Sequence, residues 1–273
     1  MGFTEHISNA DLHPVQGHLH VAAGDEAVIL VAREGGPLNI RAAEGAQVRL
    51  LLAPACDEAQ TAHFELACGA SVHVVGLFSD VGASVEVRQQ AGSQFRMTAV
   101  AAGNASLDIC ASLCQPEAGF SFSGVAAAAR NQSVQLDMRV MHDAPSCRSS
   151  AVVKGVASGD GRMRFEGRAV VAQGADGTDA RQTSRNLLLG DEARITTLPQ
   201  LEIYADDVKC SHGATVGRAD DEAVMYMRQR GLSEQAARRL LTEGFLLDIV
   251  SDCAVGELAG TVEERLREII EHL

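Results

Sequence analysis

The feature that most constrains this chain is its punctuation. Gly69-Ala70-Ser71, Gly82-Ala83-Ser84, Gly92-Ser93 and Gly103-Asn104-Ala105-Ser106 each stand directly before a run of β-branched and apolar residues. They recur at intervals of about 10 to 13 residues, and two such units make about 21 to 24. From Glu26 to Val171 the chain reads as a ladder of short strands. These are AVILVA (27–32), QVRLLLA (47–53), HFELA (63–67), SVHVVGLF (71–78), SVEVRQ (84–89), QFRMTAV (94–100), SLDICA (106–111), SVQLDMRV (133–140) and MRFEGRAVV (163–171). Several alternate apolar with polar residues, the period of a half-buried strand. Helix caps followed by a 3.6-residue period are absent there. Regular strands with Gly-rich corners suit a sandwich or a β-solenoid. Small corner residues and stackable Val, Leu and Ile columns favour the solenoid, in which each coil covers the core of the next.

Composition agrees with a thin, repetitive core. Hydrophobic residues make up 46% of the 273, aromatics only 4%, and there is no Trp. That length permits one or two domains. The net charge of −13 argues against nucleic acid as a partner, because that binding rests on Lys and Arg neutralising phosphates. Only two lysines occur, Lys154 and Lys209, against 21 arginines. No apolar run is long enough for a membrane helix, so no membrane association is expected. The N-terminus lacks a basic and then apolar secretory leader. Met1-Gly2 is followed by His6 where a myristoylation signal has Ser or Thr. Seven cysteines, an odd number, without an export signal point to a reducing compartment, the cytoplasm. Cys110 and Cys114 share one face of a β segment and read as small buried hydrophobes. Residues 1–25, with His6, His13, His18 and His20, read as a polar N-terminal arm.

Several chemistries have no motif. GxxxxGK[ST], GxSxG, HExxH and GxGxxG are all missing, so any ATP hydrolysis belongs to another polypeptide. β-Helical enzymes that cleave polysaccharides form a remote alternative, and the shortage of aromatic sugar platforms argues against it.

Pro199 to Gly217 is the densest concentration of capable side chains: PQLEIYADDVKCSHGATVG. If the segment is extended, Cys210 and His212 project from one face. Thiolate and imidazole are ligands for iron or zinc. Two ligands cannot close a tetrahedral site, so a partner chain or a distant loop would supply the rest. From spacing alone, the favoured reading is a Cys and a His packed at a strand end. Asp206 and Asp207 are adjacent, so in a strand they point to opposite faces. With Lys209 they read as a solvated corner.

Beyond Gly217 the character changes. Asp220 or Asp221 can cap a helix that runs to Arg230, with Gly231 as its stop. Ser233 opens a second, with Ala237, Leu240, Leu241, Phe245, Ile249 and Cys253 as its apolar stripe. Thr261 with Glu264 forms a capping box for a third. Residues 219–273 are thus a helical region, able to cap the open end of a solenoid.

The Pro199–Gly217 stretch also resembles the signature of the SufB/SufD family of iron–sulfur cluster assembly scaffolds. The likeness continues in Asp220-Asp221-Glu222, Tyr226-Met227 and Arg230-Gly231, upstream in GADGTDARQTSRNLLLG (174–190) and downstream in RRLLTEGF (238–245). It covers roughly residues 142 to 250. The resemblance implies a mainly β fold, a right-handed parallel β-helix over residues 26–218. It implies that the 219–273 region holds a SufC-type ABC ATPase, and that the other partner is a SufB-type subunit. The family's signature His falls on His212 and its neighbouring Cys on Cys210, which implies an iron or cluster ligand set at an inter-subunit surface. No cofactor is expected to stay bound to the isolated chain; iron or an iron–sulfur cluster would be held transiently. The chain would be a scaffold, not an enzyme. Ser184 stands where the SufB branch carries a sulfur-accepting Cys. Ser211 and Gly213 flank His212 where that branch tends to have Glu. Both departures point to the SufD branch. Many members carry a helical N-terminal domain for which this sequence has no room. The alternative is therefore a minimal scaffold that pairs with itself as a homodimer and works with the ATPase alone.

Overall fold

The computed structural model describes residues 13–14, 17–25, 30–32, 36–54 and 59–273. His6 and Cys56 lie outside the described residues. The early strands are β1 (His13–Pro14), β2 (Gly17–Val21), β3 (Leu30–Ala32), β4 (Gly36–Ala42), β5 (Gln47–Leu52) and β6 (Gln60–Leu66). Next come β7 (Ser71–Ser79), β8 (Gly82–Gln89), β9 (Gln94–Ala102), β10 (Ser106–Leu113), β11 (Gly119–Ala128) and β12 (Ser133–His142). The last are β13 (Arg148–Ala157), β14 (Arg162–Val171), β15 (Asp179–Leu188), β16 (Arg194–Ile203) and β17 (Lys209–Arg218).

Odd and even strands separate into two sheets. One runs β1-β3-β5-β7-β9-β11-β13-β15-β17, the other β16-β14-β12-β10-β8-β6-β4-β2. Pairing is parallel in both. Each coil therefore contributes one strand to each sheet, which is a parallel β-helix-like solenoid. Gln47 lies beside Ser71, Gln94 beside Gly119, Arg148 beside Asp179 and Asp179 beside Lys209, so the coil lengthens toward the C-terminus. The first strands already fall inside the stretch read from sequence as an arm.

Corners and core follow the residue types. Gly69, Gly92 and Gly103 adopt positive φ of 67°, 65° and 75°, which L side chains rarely tolerate, and turn the chain between sheets. Gly82, expected at a corner, is instead the first residue of β8. Inside, Phe95 stacks on Phe120 of the next coil with centroids 5.8 Å apart, and Phe64 of the other sheet meets Phe95 edge to face at 5.2 Å. Of the cysteines, Cys147 is buried, whereas Cys110 and Cys114 are only half-buried, so the expected burial of that pair is corrected. Cys110 lies among charged neighbours on the outer face of its sheet, and Cys114 lies past the end of β10.

Among the described residues the α-helices are α1 (Asp221–Gln229), α2 (Glu234–Leu247) and α3 (Ala259–Glu271). Asp220 caps α1 by accepting from Glu222 N, Ser233 caps α2 by accepting from Ala236 N, and Gly231 has φ +96°. Thr261 lies inside α3 rather than at its cap, because that helix starts directly from a 3₁₀ turn over Gly256–Leu258. The helices do not close the open end. Leu246, Ile249, Leu258, Val262, Leu266 and Ile269 lie against Leu51, Val75, Val100, Val125 and Val156 on the outer face of the nine-stranded sheet. That face is apolar in the middle coils, so the helical region folds back along the flank to bury it. The buried stripe of α2 is Ala237, Thr242 and Leu246, while Leu240 is exposed.

Candidate functional site

β17 ends the nine-stranded sheet, and β15 is its neighbour there. In a register of parallel strands, partners point the same way. Cys210 pairs with Ala180 and His212 with Gln182. Ala180, Gln182, Ser184 and Asn186 are the buried, inward positions of β15. Cys210 and His212 therefore belong to the inward column of the solenoid, side by side as the extended spacing requires. No further coil covers them in this structure. His212 is exposed and Cys210 half-buried. Burial pushes the Cys210 thiol above its usual range and the Asp179 carboxylate adds to this, against a backbone hydrogen bond at Ala180 that lowers it. The thiol thus keeps its proton at neutral pH, and a metal bound there would have to displace it.

The layer beneath is polar where earlier coils are apolar. The column Phe122–Ala151–Gln182–His212 shows the change. Gln182, 3% exposed, donates to the Gln200 carbonyl at 3.3 Å; with its amide oxygen and nitrogen exchanged, the assignment that satisfies both atoms, it donates to the Gly167 carbonyl at 3.2 Å and accepts from the Ala169 amide at 3.1 Å, and either way it ties its sheet to the other. Asn186 Nδ2 donates to Ser184 Oγ at 2.9 Å and to the Thr215 carbonyl at 2.9 Å. Ser184 is fully inside, one rung below Ala214. On β16, Thr197, Pro199 and Leu201 take the inward register of Phe165, Gly167 and Ala169.

Asp206 and Asp207 are exposed in the corner between β16 and β17, where the Asp207 carbonyl accepts from Gly177 N at 2.6 Å. Lys209 is exposed on the opposite face of β17 from Cys210. Among the described residues no group of three or more His, Cys, Asp or Glu could hold a metal ion. A metal at Cys210 and His212 would need donors from elsewhere. A separate cleft of about 660 Å³ lies between the end of the solenoid and the helices, lined by Leu189, Asp191, Arg218, Arg238, Arg239 and Glu271. Its charges are paired: Arg218 with Asp191 at 2.7 Å, Arg238 with Asp221 at 3.1 Å, Arg239 with Glu271 at 2.8 Å.

A two-sheet parallel solenoid ending in a Cys-x-His strand is the architecture against which known proteins can be compared. Residues 36–245 match the model of the SufBD core domain of the SUF system for FeS cluster assembly. The chain belongs to the SufBD family. It is 48% identical over 108 residues to the iron–sulfur cluster assembly protein SufD of Escherichia coli (strain K12), covering 40% of this chain and 26% of that relative. A SufBD family protein of Synechocystis is 43% identical over 106 residues, covering 39% and 22%. The chloroplastic protein ABCI7 of Arabidopsis thaliana is 30% identical over 167 residues, covering 60% and 35%. The matched stretches thus span roughly a quarter to a third of the length of these relatives. Among the described residues, no helix is long and apolar enough to cross a membrane.

The sequence reading missed the polar layer and Lys154. Leu187, Leu188 and Leu189 are the one continuous apolar run in this segment, which marks them as the buried part of a strand. The strand instead spans Asp179–Leu188, and its buried positions are Ala180, Gln182, Ser184 and Asn186. Both faces of DARQTSRN are polar, so alternation could not say which face was inside. The rarity of lysine was the available signal for Lys154.

Proposed function

We propose that this chain is a SufD-like scaffold subunit whose terminal strand presents Cys210 and His212 to a partner, so that iron or a nascent iron–sulfur cluster is held between two subunits. One observation carries the reading: the pair faces inward on the last strand, yet is left open because no coil covers it. Thiolate and imidazole suit iron. The remaining donors come from the partner, a SufB-type chain. Ser184, buried in the position of a sulfur-accepting Cys, assigns sulfur acceptance to that partner, since a hydroxyl is a poor persulfide acceptor.

The partner joins by strand addition at the free edge of β17, a mode in which main-chain hydrogen bonds supply affinity. Leu198, Ile203, Tyr204 and Val216 are large exposed apolar side chains of the last coil and its corner that such a partner would cover. A SufC-type ATPase docks on the helical region, where Met225, Tyr226 and Leu240 are exposed. Its nucleotide-driven motion opens and closes the scaffold interface. The minimal homodimer is the second reading, because one free edge can pair with its own copy about a two-fold axis.

Anaerobic co-purification with a SufC-type ATPase, with and without a SufB-type subunit, tests this. Iron, labile sulfide and the visible spectrum are measured for the wild type and His212→Ala. Loss of iron with partners retained supports the ligand role. Unchanged iron with the ATPase bound makes the chain a structural subunit. Iron held by the ATPase complex without a SufB-type subunit favours the homodimer.

A further inference from the structure

Lys154 is buried to 4% exposure on the outer face of β13. Among the described residues it is the one Lys, Arg, Asp or Glu in the buried set. Its Nζ donates to the Phe245 carbonyl at 2.7 Å, in the last turn of α2. It also donates to Asp248 Oδ2 at 2.5 Å, in the 3₁₀ turn that follows. The Phe245 ring lies 5.0 Å from the ammonium. A buried ammonium is tolerated only while its partners are in place. All of these partners come from the helical region, and none from the solenoid.

That makes two arrangements discrete rather than graded. With the helices seated, the ammonium is satisfied. With the end of α2 displaced, the ammonium must follow it or find water. Lysine suits this better than arginine, because a compact head with three donors fits under one carbonyl and one carboxylate. Lys154 is also in register with Arg185 on β15 and Thr215 on β17, three residues beyond His212. Asn186, next to Arg185, donates to the Thr215 carbonyl.

We propose that Lys154 is the pivot that couples the helical region to the strand carrying Cys210 and His212. The inference rests on the reading of that region as the ATPase platform. A pull on α2 loads β13 through the ammonium, and the parallel ladder passes it through β15 to β17. Lys154 touches neither cargo nor nucleotide and is a positioning residue.

The test is peptide-resolved hydrogen exchange on the full chain, alone and with the SufC-type ATPase and a non-hydrolysable ATP analogue, without a SufB-type subunit. The variants are Lys154→Met, which fills the same space without charge, and Asp248→Asn, an isosteric change at an exposed carboxylate that keeps an acceptor oxygen for the ammonium. In the wild type, ATPase binding is expected to change exchange at 245–253 and at 209–218, the latter by at least about threefold. Both variants should bind the ATPase with similar affinity yet lose the response at 209–218. An unaltered response in both variants overturns the pivot while leaving the platform standing. A wild-type chain that binds no ATPase removes the platform, and the pivot with it. A merely structural Lys154 would loosen 245–253 in the free chain and leave the response at 209–218 intact.

Discussion

His212 stands one rung beyond Gln182 in the same inward column, and only Gln182 is buried. The two residues occupy equivalent places on successive coils. What separates them is the next coil, which covers Gln182 and is missing above His212. Gln182 is held by backbone groups of the opposite sheet, so the floor under His212 is fixed while the imidazole is free to meet a ligand.

His212→Ala should therefore leave stability within about 0.5 kcal/mol of the wild type, as for exposed positions generally. Iron retained by the reconstituted complex should fall severalfold. Thermal unfolding and iron analysis of the same preparations check this. A large fall in melting temperature would show that the imidazole supports the fold.

Gly167→Ala should destabilise the chain by about 1–3 kcal/mol, the range for overpacking. A β-carbon there meets the buried Phe165 ring and the Gln182 carboxamide. Urea unfolding gives the magnitude, and weaker iron binding in the folded fraction would show that the floor matters to the site.

His142 supplies a pH signature. It is fully buried, its Nε2 lies 2.9 Å from Ser149 Oγ, and burial lowers its pKa from 6.5 to about 4. Between those values the unfolded chain binds the extra proton and the folded chain does not. Stability is thus full above pH 6.5 and falls as the pH drops toward 4, by about 3 kcal/mol over the window. His142→Leu should remove that component, read as the difference between the two proteins in urea midpoint against pH.

Leu266→Ala should cost about 2–5 kcal/mol, because the side chain is fully buried between α3 and the sheet. The loss should appear first as faster hydrogen exchange in residues 245–271, with the β10–β14 coils still protected.

Val216→Asp should weaken association at the β17 edge at least about tenfold, since a desolvated carboxylate without a partner opposes burial. Sedimentation with the SufB-type subunit, and of the chain alone, measures it. Unchanged association would move the interface away from this edge.

Much of the fold was legible because a solenoid is locally specified. Gly69, Gly92 and Gly103 mark corners by their own backbone freedom, and SVEVRQ or SLDICA alternates plainly. β11 and β13 escaped notice, because GFSFSGVAAA and RSSAVVKGVA carry small residues on both faces and no clean period. The shared face of Cys210 and His212 followed from their spacing in an extended strand. Their exposure did not follow, since it depends on where the stack of coils ends.

Local residue patterns are enough to specify the coil: strand, corner, strand, with periodicity two and glycine where φ must be positive. They also specify the Cys-x-His pair and the caps of α1 and α2. Local patterns do not show that the helices lie along the flank, that a polar layer replaces the apolar columns below the last strand, or that Lys154 is buried under α2; these come from the assembled fold. These depend on contacts between residues far apart in the chain. Phe245 and Lys154 stand 91 residues apart in the chain, and no local pattern records their meeting. Hydrophobic periodicity says which face of an element is to be buried; the shape of the finished solenoid decides against what.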